Sequence, residues 1–184
     1  MIYTESIPAG GWHVTNDLAK GLTCTAADAE RLKTLYGNAI ISKSDDNELI
    51  EVPRLGEDNA HDVNHVPRSL LIGIIQPRLE EIFEMIKARL NESGLGSMVG
   101  RRVVLTGGAS QLPGMRDLAQ TILDKQVRLG RPIRLNGLPD AVSGPGFSTA
   151  SGLLTYLATR SHEMPAEIMA HVDSETLFVR FKQW

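Results

Sequence analysis

A chain of 184 residues with 42% hydrophobic residues, 22% charged residues and a net charge of −3 has the make-up of a folded protein with room for one domain or two small lobes. Its basic residues are scattered and only 5% of positions are aromatic, which excludes the footprint of a nucleic-acid-binding protein. No apolar run approaches the ~20 residues that cross a bilayer, the N-terminus lacks the pattern of a secretory signal, and the single cysteine, Cys24, fits a reducing cytoplasmic compartment.

In chain order, Ile2, Tyr3 and Thr4 predict a first strand that turns at Pro8, Gly10 and Gly11 and needs a neighbour from elsewhere in the fold. The run TAADAERLKTLYGNA predicts a helix: Thr25 caps it, Asp28 completes a capping box, and Gly37 supplies a left-handed stop. Residues 38–65 form an acidic, poorly periodic excursion around a predicted strand from Leu49 to Val52. From Pro67 a long helix follows, with Leu70, Leu71, Ile74, Ile75, Leu79, Ile82, Phe83, Ile86 and Leu90 on its apolar stripe, ended by Asn91 and Gly94. Pro77 is expected to kink it or split it in two.

The segment RVVLTGGASQLPG, residues 102–114, reads as a buried strand, a double-glycine turn and a helix start, with Pro113 in the helix's first turn. Such a turn brings backbone close to a nucleotide, or serves helix–sheet packing alone. A short strand in VRLGRPIRL and a helix in PGFSTASGLLTYLATR complete an alternating α/β pattern, and Ala150, Ser151 and Gly152 would admit a close neighbour. Residues 161–176 read as a flexible linker, and 177–184 end the chain with mixed apolar and basic character resembling the start of an interfacial helix.

Several chemistries fail at this level. The chain has no G-x-x-x-x-G-K-[ST] loop, and the residues after Gly108 lack the second glycine of a nucleophile elbow, so no catalytic residue is assigned. His61 and His65 fall in a loop with no helical face to align them, so no metal ligand is assigned either. Glu80, Glu81 and Glu84 read as a solvated face shared with Arg78, Lys87 and Arg89. Glu30 and Lys33 lie one helical turn apart, where they make either a plain surface ion pair or a grip on ribose hydroxyls.

Six stretches, IPAGGWHVTNDLAKGL, AERLKTLYGNA, VPRSLLIGIIQPRLEEIFEMI, VVLTGGASQLPGM, VRLGRP and GPGFSTASGLLTYLA, resemble the FtsA family of actin-like bacterial cell-division proteins along nearly the whole chain. The resemblance implies an α/β fold of the actin/Hsp70-like ATPase type, incomplete, with only the second lobe present. Residues 1–24 would be part of subdomain IIA, 25–100 subdomain IIB, 101–160 the return to IIA, and 161–184 a tail. It gives Glu30 and Lys33 a ribose or adenine role and lays Gly107 and Gly108 along the nucleotide.

The family's phosphate loops and its subdomain IC would precede Met1. ATP and Mg²⁺ are therefore expected in the full-length protein, with weak nucleotide binding and no hydrolysis by this chain. The implied partners are the FtsZ C-terminal peptide, other FtsA copies, other division proteins and the membrane surface. Arg78 and, more weakly, Lys87 are the candidates for the peptide, and Phe178, Phe181 and Trp184 for the membrane. The implied location is the cytoplasmic face of the inner membrane at the division site. A lobe of a sugar kinase or chaperone-like ATPase of the same superfamily is the alternative.

Overall fold

The computed structural model describes residues 3–54, 63–94, 100–133 and 139–159. The predicted linker and the residues 177–184 that carry Phe178, Phe181 and Trp184 lie outside them, as does His61. Tyr3 and Thr4 are not in a strand, so the expected first strand is absent from its described part.

Helix α1 (Gly11–Leu22) forms because Val14, Leu18 and Leu22 repeat every fourth position and bury one face. Helix α2 (Ala26–Tyr36) starts at the predicted Thr25 cap, where the Asp28 amide donates to the Thr25 hydroxyl at 3.1 Å, but Asp28 does not close the expected capping box: its carboxylate accepts from the Thr25 hydroxyl, at 2.6 Å, and not from the Thr25 amide. Its end differs. Gly37 has φ −65° and ψ 146°, an extended conformation and not the left-handed one. The chain leaves α2 extended because the next residues run to the Pro113 carbonyl, which accepts the Ala39 amide at 2.8 Å.

A 3-10 turn over Lys43–Asn47 leads into β1 (Leu49–Pro53), which pairs antiparallel with β2 (Val63–Pro67) in the register Leu49↔Pro67 to Pro53↔Val63. Ile50 and Val52 face inward and Leu49 and Glu51 outward, the period of two that sets which face is buried. Helix α3 (Arg68–Glu92) then runs unbroken through Pro77. Pro77 therefore does not split the helix: it sits on the exposed side, and Gly73, whose carbonyl loses its partner at residue 77, is exposed as well, so water can satisfy that carbonyl.

Strand β3 (Arg102–Leu105), helix α4 (Met115–Leu123) and strand β4 (Gln126–Leu129) form a β-α-β unit, the strands parallel in the register Arg102↔Gln126 to Leu105↔Leu129. Two expectations are corrected here. β3 is half exposed rather than buried, with Val104 open to solvent, since α4 covers one face of the pair. Pro113 precedes α4, whose cap is Gly114 at φ 75°, instead of entering its first turn. Helix α5 (Ser148–Thr159) follows a 3-10 turn at Pro145–Phe147; Ser151 is buried while Gly152 meets nothing within 4 Å, so the small-residue stripe does not pack as a unit.

The core lies between α1, α2 and α3, with Leu18, Leu32, Leu71, Ile72 and Ile75 at 2% exposure or less, and extends through Leu79 and Phe83 to Met115 and Leu118 of α4. Burying each such aliphatic side chain is worth about 1.5–3 kcal/mol. α1 and α3 cross closely at Gly21, where a Cβ would fall 2.6 Å from Ile74 Cδ1. Helices and strands are thus mixed in a manner compatible with an α/β fold. Among the described residues no helix is long and apolar enough to cross a membrane.

Candidate functional site

Three separate stretches of sequence converge on one cavity of about 630 Å³. The first turn of α1 supplies Gly11 and Trp12, the middle of α2 supplies Glu30 and Lys33, and the segment after β3 supplies Gly108 and Gln111. Val14, Leu79 and Met115 make its apolar walls, and its volume falls within the range of small-molecule sites, roughly 300–1,000 Å³. Trp12 is mostly exposed at this edge, and Gln111 is exposed as well.

The glycine turn is built by backbone conformation. Gly107 has φ 98° and ψ 169°, a region essentially reserved for glycine, and its amide donates to the Pro145 carbonyl at 3.2 Å, tying the turn to the segment before α5. Gly108 then opens a 3-10 turn and lines the cavity. Gly11 is close against this turn, since a Cβ on it would lie 3.1 Å from the Ala109 Cβ.

Glu30 and Lys33 are joined by a 2.7 Å ion pair, and a third group that sequence reasoning missed, the fully buried Thr15 of α1, completes the cluster. Lys33 Nζ donates to Glu30 Oε2 at 2.7 Å, to Thr15 Oγ1 at 2.8 Å and to the Gly11 carbonyl at 3.2 Å. Thr15 Oγ1 also donates toward Glu30 Oε2, at 2.5 Å, with the Gly11 carbonyl 3.1 Å away. Burial pushes the Glu30 carboxyl up, but the hydrogen bonds from Lys33 and Thr15, with the ammonium's charge, outweigh it and hold the group below its ordinary value. The pair is therefore more than a surface ion pair: it fixes α2 to the start of α1.

The two peptide candidates are separated. Arg78 is not a free cation: it is half buried, its Nε donates to Asp17 of α1 at 2.5 Å, and its Nη1 donates to Glu81 one turn along α3. Lys87 is exposed and makes no hydrogen bond or ion pair with the described residues. Nine residues along an α-helix rotate it by about 180°, so the two cations lie on opposite faces of α3. Among the other carboxylates considered from sequence, Glu80 accepts from Gln76 at 2.8 Å, as a solvated helix face would. His65 is exposed beside Glu51, and no cluster of three or more histidine, cysteine, aspartate or glutamate residues able to hold a metal occurs among the described residues. Cys24 is buried, which pushes its thiol up and makes it a poor nucleophile.

The model of the family described as cell division protein FtsA matches residues 1–152. The chain belongs to the FtsA family. It is 42% identical to cell division protein FtsA of Rhizobium meliloti (strain 1021) over 187 residues, covering 100% of this chain and 42% of that protein. It is 47% identical to the FtsA of Agrobacterium fabrum over 156 residues, 85% of this chain and 35% of the relative. Against the Escherichia coli K12 FtsA it is 34% identical over 165 residues, 84% of this chain and 38% of the relative. It thus spans about two-fifths of the length of these FtsA relatives, which are named as cell division proteins and not as enzymes. The match is to FtsA and not to a sugar kinase or chaperone ATPase, the alternative that the sequence left open.

Proposed function

We propose that this chain is the part of a division-ring adaptor that holds the sugar and base of ATP and offers a docking face for the FtsZ C-terminal peptide, within an actin-like fold whose second lobe it represents. The observation that carries the nucleotide reading is the convergence of Glu30, Lys33 and Gly108 on one cavity; Gly107, also expected along the nucleotide, shapes the turn behind it and does not line the cavity. The residues present suit the organic part of a nucleotide: a half-exposed carboxylate for hydroxyl groups, apolar walls for a base, and a glycine where backbone must come close. They supply no carboxylate cluster for Mg²⁺, and Glu30 is already engaged by Lys33, so the metal and the phosphates belong with residues beyond those described.

Isotope-edited NMR titration of the chain with adenosine tests this reading, because it detects millimolar affinity. Shifts confined to the amides of Gly11, Glu30, Gly108 and Gln111 support it; no shift at any cavity amide rejects it.

For the peptide, the α1–α3 face at Arg78 is the better candidate, since a guanidinium can transfer from Asp17 to a carboxylate of an acidic segment. Arg78→Glu should weaken binding of a labelled FtsZ tail by ~1–3 kcal/mol in fluorescence anisotropy, and Asp17→Asn, which releases the guanidinium, should strengthen it. Equal affinity for both variants and the parent removes this face. Subdomain limits at residues 24, 100 and 160, self-association, contacts with other division proteins and membrane attachment through Phe178, Phe181 and Trp184 complete the proposal. So does a place on the cytoplasmic face of the inner membrane.

A further inference from the structure

A proline inside a helix leaves one carbonyl without its usual donor, and in α3 that carbonyl opens into a groove. Pro77 has no N–H, so the carbonyl of Gly73, one turn earlier, loses its helical partner. Gly73 has no side chain to screen it, nothing lies within 4 Å of the position a Cβ would take, and both residues are exposed. They line a groove of about 330 Å³ together with Asp17 of α1 and Ile74, Arg78 and Glu81 of α3. Ile74 and Pro77 give the groove apolar surface. Arg78, whose Nε donates to Asp17 at 2.5 Å and whose Nη1 donates to Glu81, gives it a charged donor. One groove thus holds an unused backbone acceptor and a side-chain cation.

We propose that the Gly73 carbonyl is a second anchor for a docked peptide, accepting a backbone N–H of the segment whose carboxylate pairs with Arg78. The inference rests on the peptide reading of the α1–α3 face and adds a contact that no peptide side chain supplies. In the free chain water takes this carbonyl, and the peptide N–H replaces that water on docking. A peptide carries one N–H per residue, so an acidic residue held by the guanidinium brings neighbouring N–H groups into the same groove. Pro77 is a positioning residue here, because it acts by keeping Gly73 unpaired. The pairing also gives selectivity: a carboxylate alone reaches any exposed guanidinium, whereas a carboxylate and an N–H at a set separation suit a defined segment.

The test is a cycle of two changes read by fluorescence anisotropy, using a labelled FtsZ C-terminal peptide and forms of it N-methylated at one backbone position at a time around an acidic residue. An N-methyl group removes one donor and leaves the side chains in place. With the parent chain, one methylated peptide should bind about three- to tenfold more weakly than the unmethylated one, the effect of a single lost hydrogen bond. Pro77→Val keeps a branched apolar side chain in the groove and restores the N–H that pairs with Gly73 in a regular helix. This variant should resist urea better than the parent yet bind the unmethylated peptide about three- to tenfold more weakly. In it the penalty at the sensitive N-methyl position should shrink to within about twofold, since the acceptor is already taken.

An N-methyl penalty that is the same in the parent and in Pro77→Val puts the peptide N–H against another acceptor and overturns the proposal. So does the absence of a penalty at every methylated position in a parent that binds the peptide. A Pro77→Val chain no more stable than the parent shows that Gly73 gained no partner, which overturns it as well. Failure of the parent to bind the unmethylated peptide rejects the docking face itself, and this inference with it. Binding that falls with Arg78→Glu but is unchanged by Pro77→Val keeps the face and rejects the Gly73 anchor alone.

Discussion

Replacing Arg68 by methionine removes a clamp that joins three elements. Its Nε donates to the Tyr36 carbonyl at the end of α2 at 2.8 Å, and its Nη1 donates to Asp45 at 3.2 Å and Glu48 at 2.9 Å, both in the turn that leads into β1. Asp45 is the costly partner, being 3% exposed, whereas Glu48 is half exposed and its ion pair is worth about 0–1 kcal/mol. Breaking a buried pair from one side costs about 3–5 kcal/mol because the remaining charge stays buried. Two features reduce this figure: Asp45 keeps the Ser42 amide at 2.7 Å, and Arg68 is 22% exposed, so water can reach the gap. The orphaned Tyr36 carbonyl adds about 1 kcal/mol. Arg68→Met should therefore lower stability by about 3–4 kcal/mol, a large share of the 5–15 kcal/mol of an ordinary domain.

Urea unfolding followed by far-ultraviolet circular dichroism would measure this as a fall in midpoint at constant slope. Adding Asp45→Asn removes the uncompensated charge and should recover about 1–2 kcal/mol of the loss. A single-variant loss under about 1 kcal/mol, or a double variant that simply sums the two singles, would refute the buried-pair reasoning.

Three further outcomes are expected. Gly37→Ala puts a Cβ 2.2 Å from the Lys33 carbonyl oxygen and 2.9 Å from Leu112 Cδ1, so it should destabilise by about 1–3 kcal/mol in thermal unfolding although its φ suits alanine. Thr23 ends α1 at φ 53° and ψ 51°, a left-handed site that a β-branched residue enters at a cost, so Thr23→Gly should stabilise by about 0.5–1 kcal/mol. Glu30, with its folded value depressed, contributes stability that is complete above its unfolded value and lost as pH falls through the folded one. The parent should therefore lose more stability than Glu30→Gln on acidification below the ordinary glutamate value of 4.5, and parallel pH profiles would show that the carboxylate is not the cause.

Local signals carried much of the fold. The Thr25 cap, the strand beginning at Leu49 and the apolar stripe of α3 depend on neighbours a few residues away, and each was legible in the sequence. What escaped depends on distant partners. Gly37 looked like a left-handed stop, but its exit is set by the Ala39 amide reaching Pro113, some 70 residues on. Val103, Val104 and Leu105 read as a buried run, yet burial follows from what covers each face, and α4 covers one. Within the site, Glu30, Lys33 and Gly108 were visible as residue types with local spacing. Thr15 was not, since a hydroxyl beside an apolar stripe shows no purpose until α2 is packed over it.

The passage of α3 through Pro77 has a consequence for how the molecule assembles. A helix that continues across a missing rung is not held there by its own ladder. Its middle is held by α1, through the close approach of Gly21 to Ile74 and the reach of Arg78 to Asp17. Residues 68–92 excised as a peptide would accordingly fall into two short, frayed halves, and the unbroken helix would arise late in folding, when α1 docks and supplies the contacts that the sequence of α3 lacks.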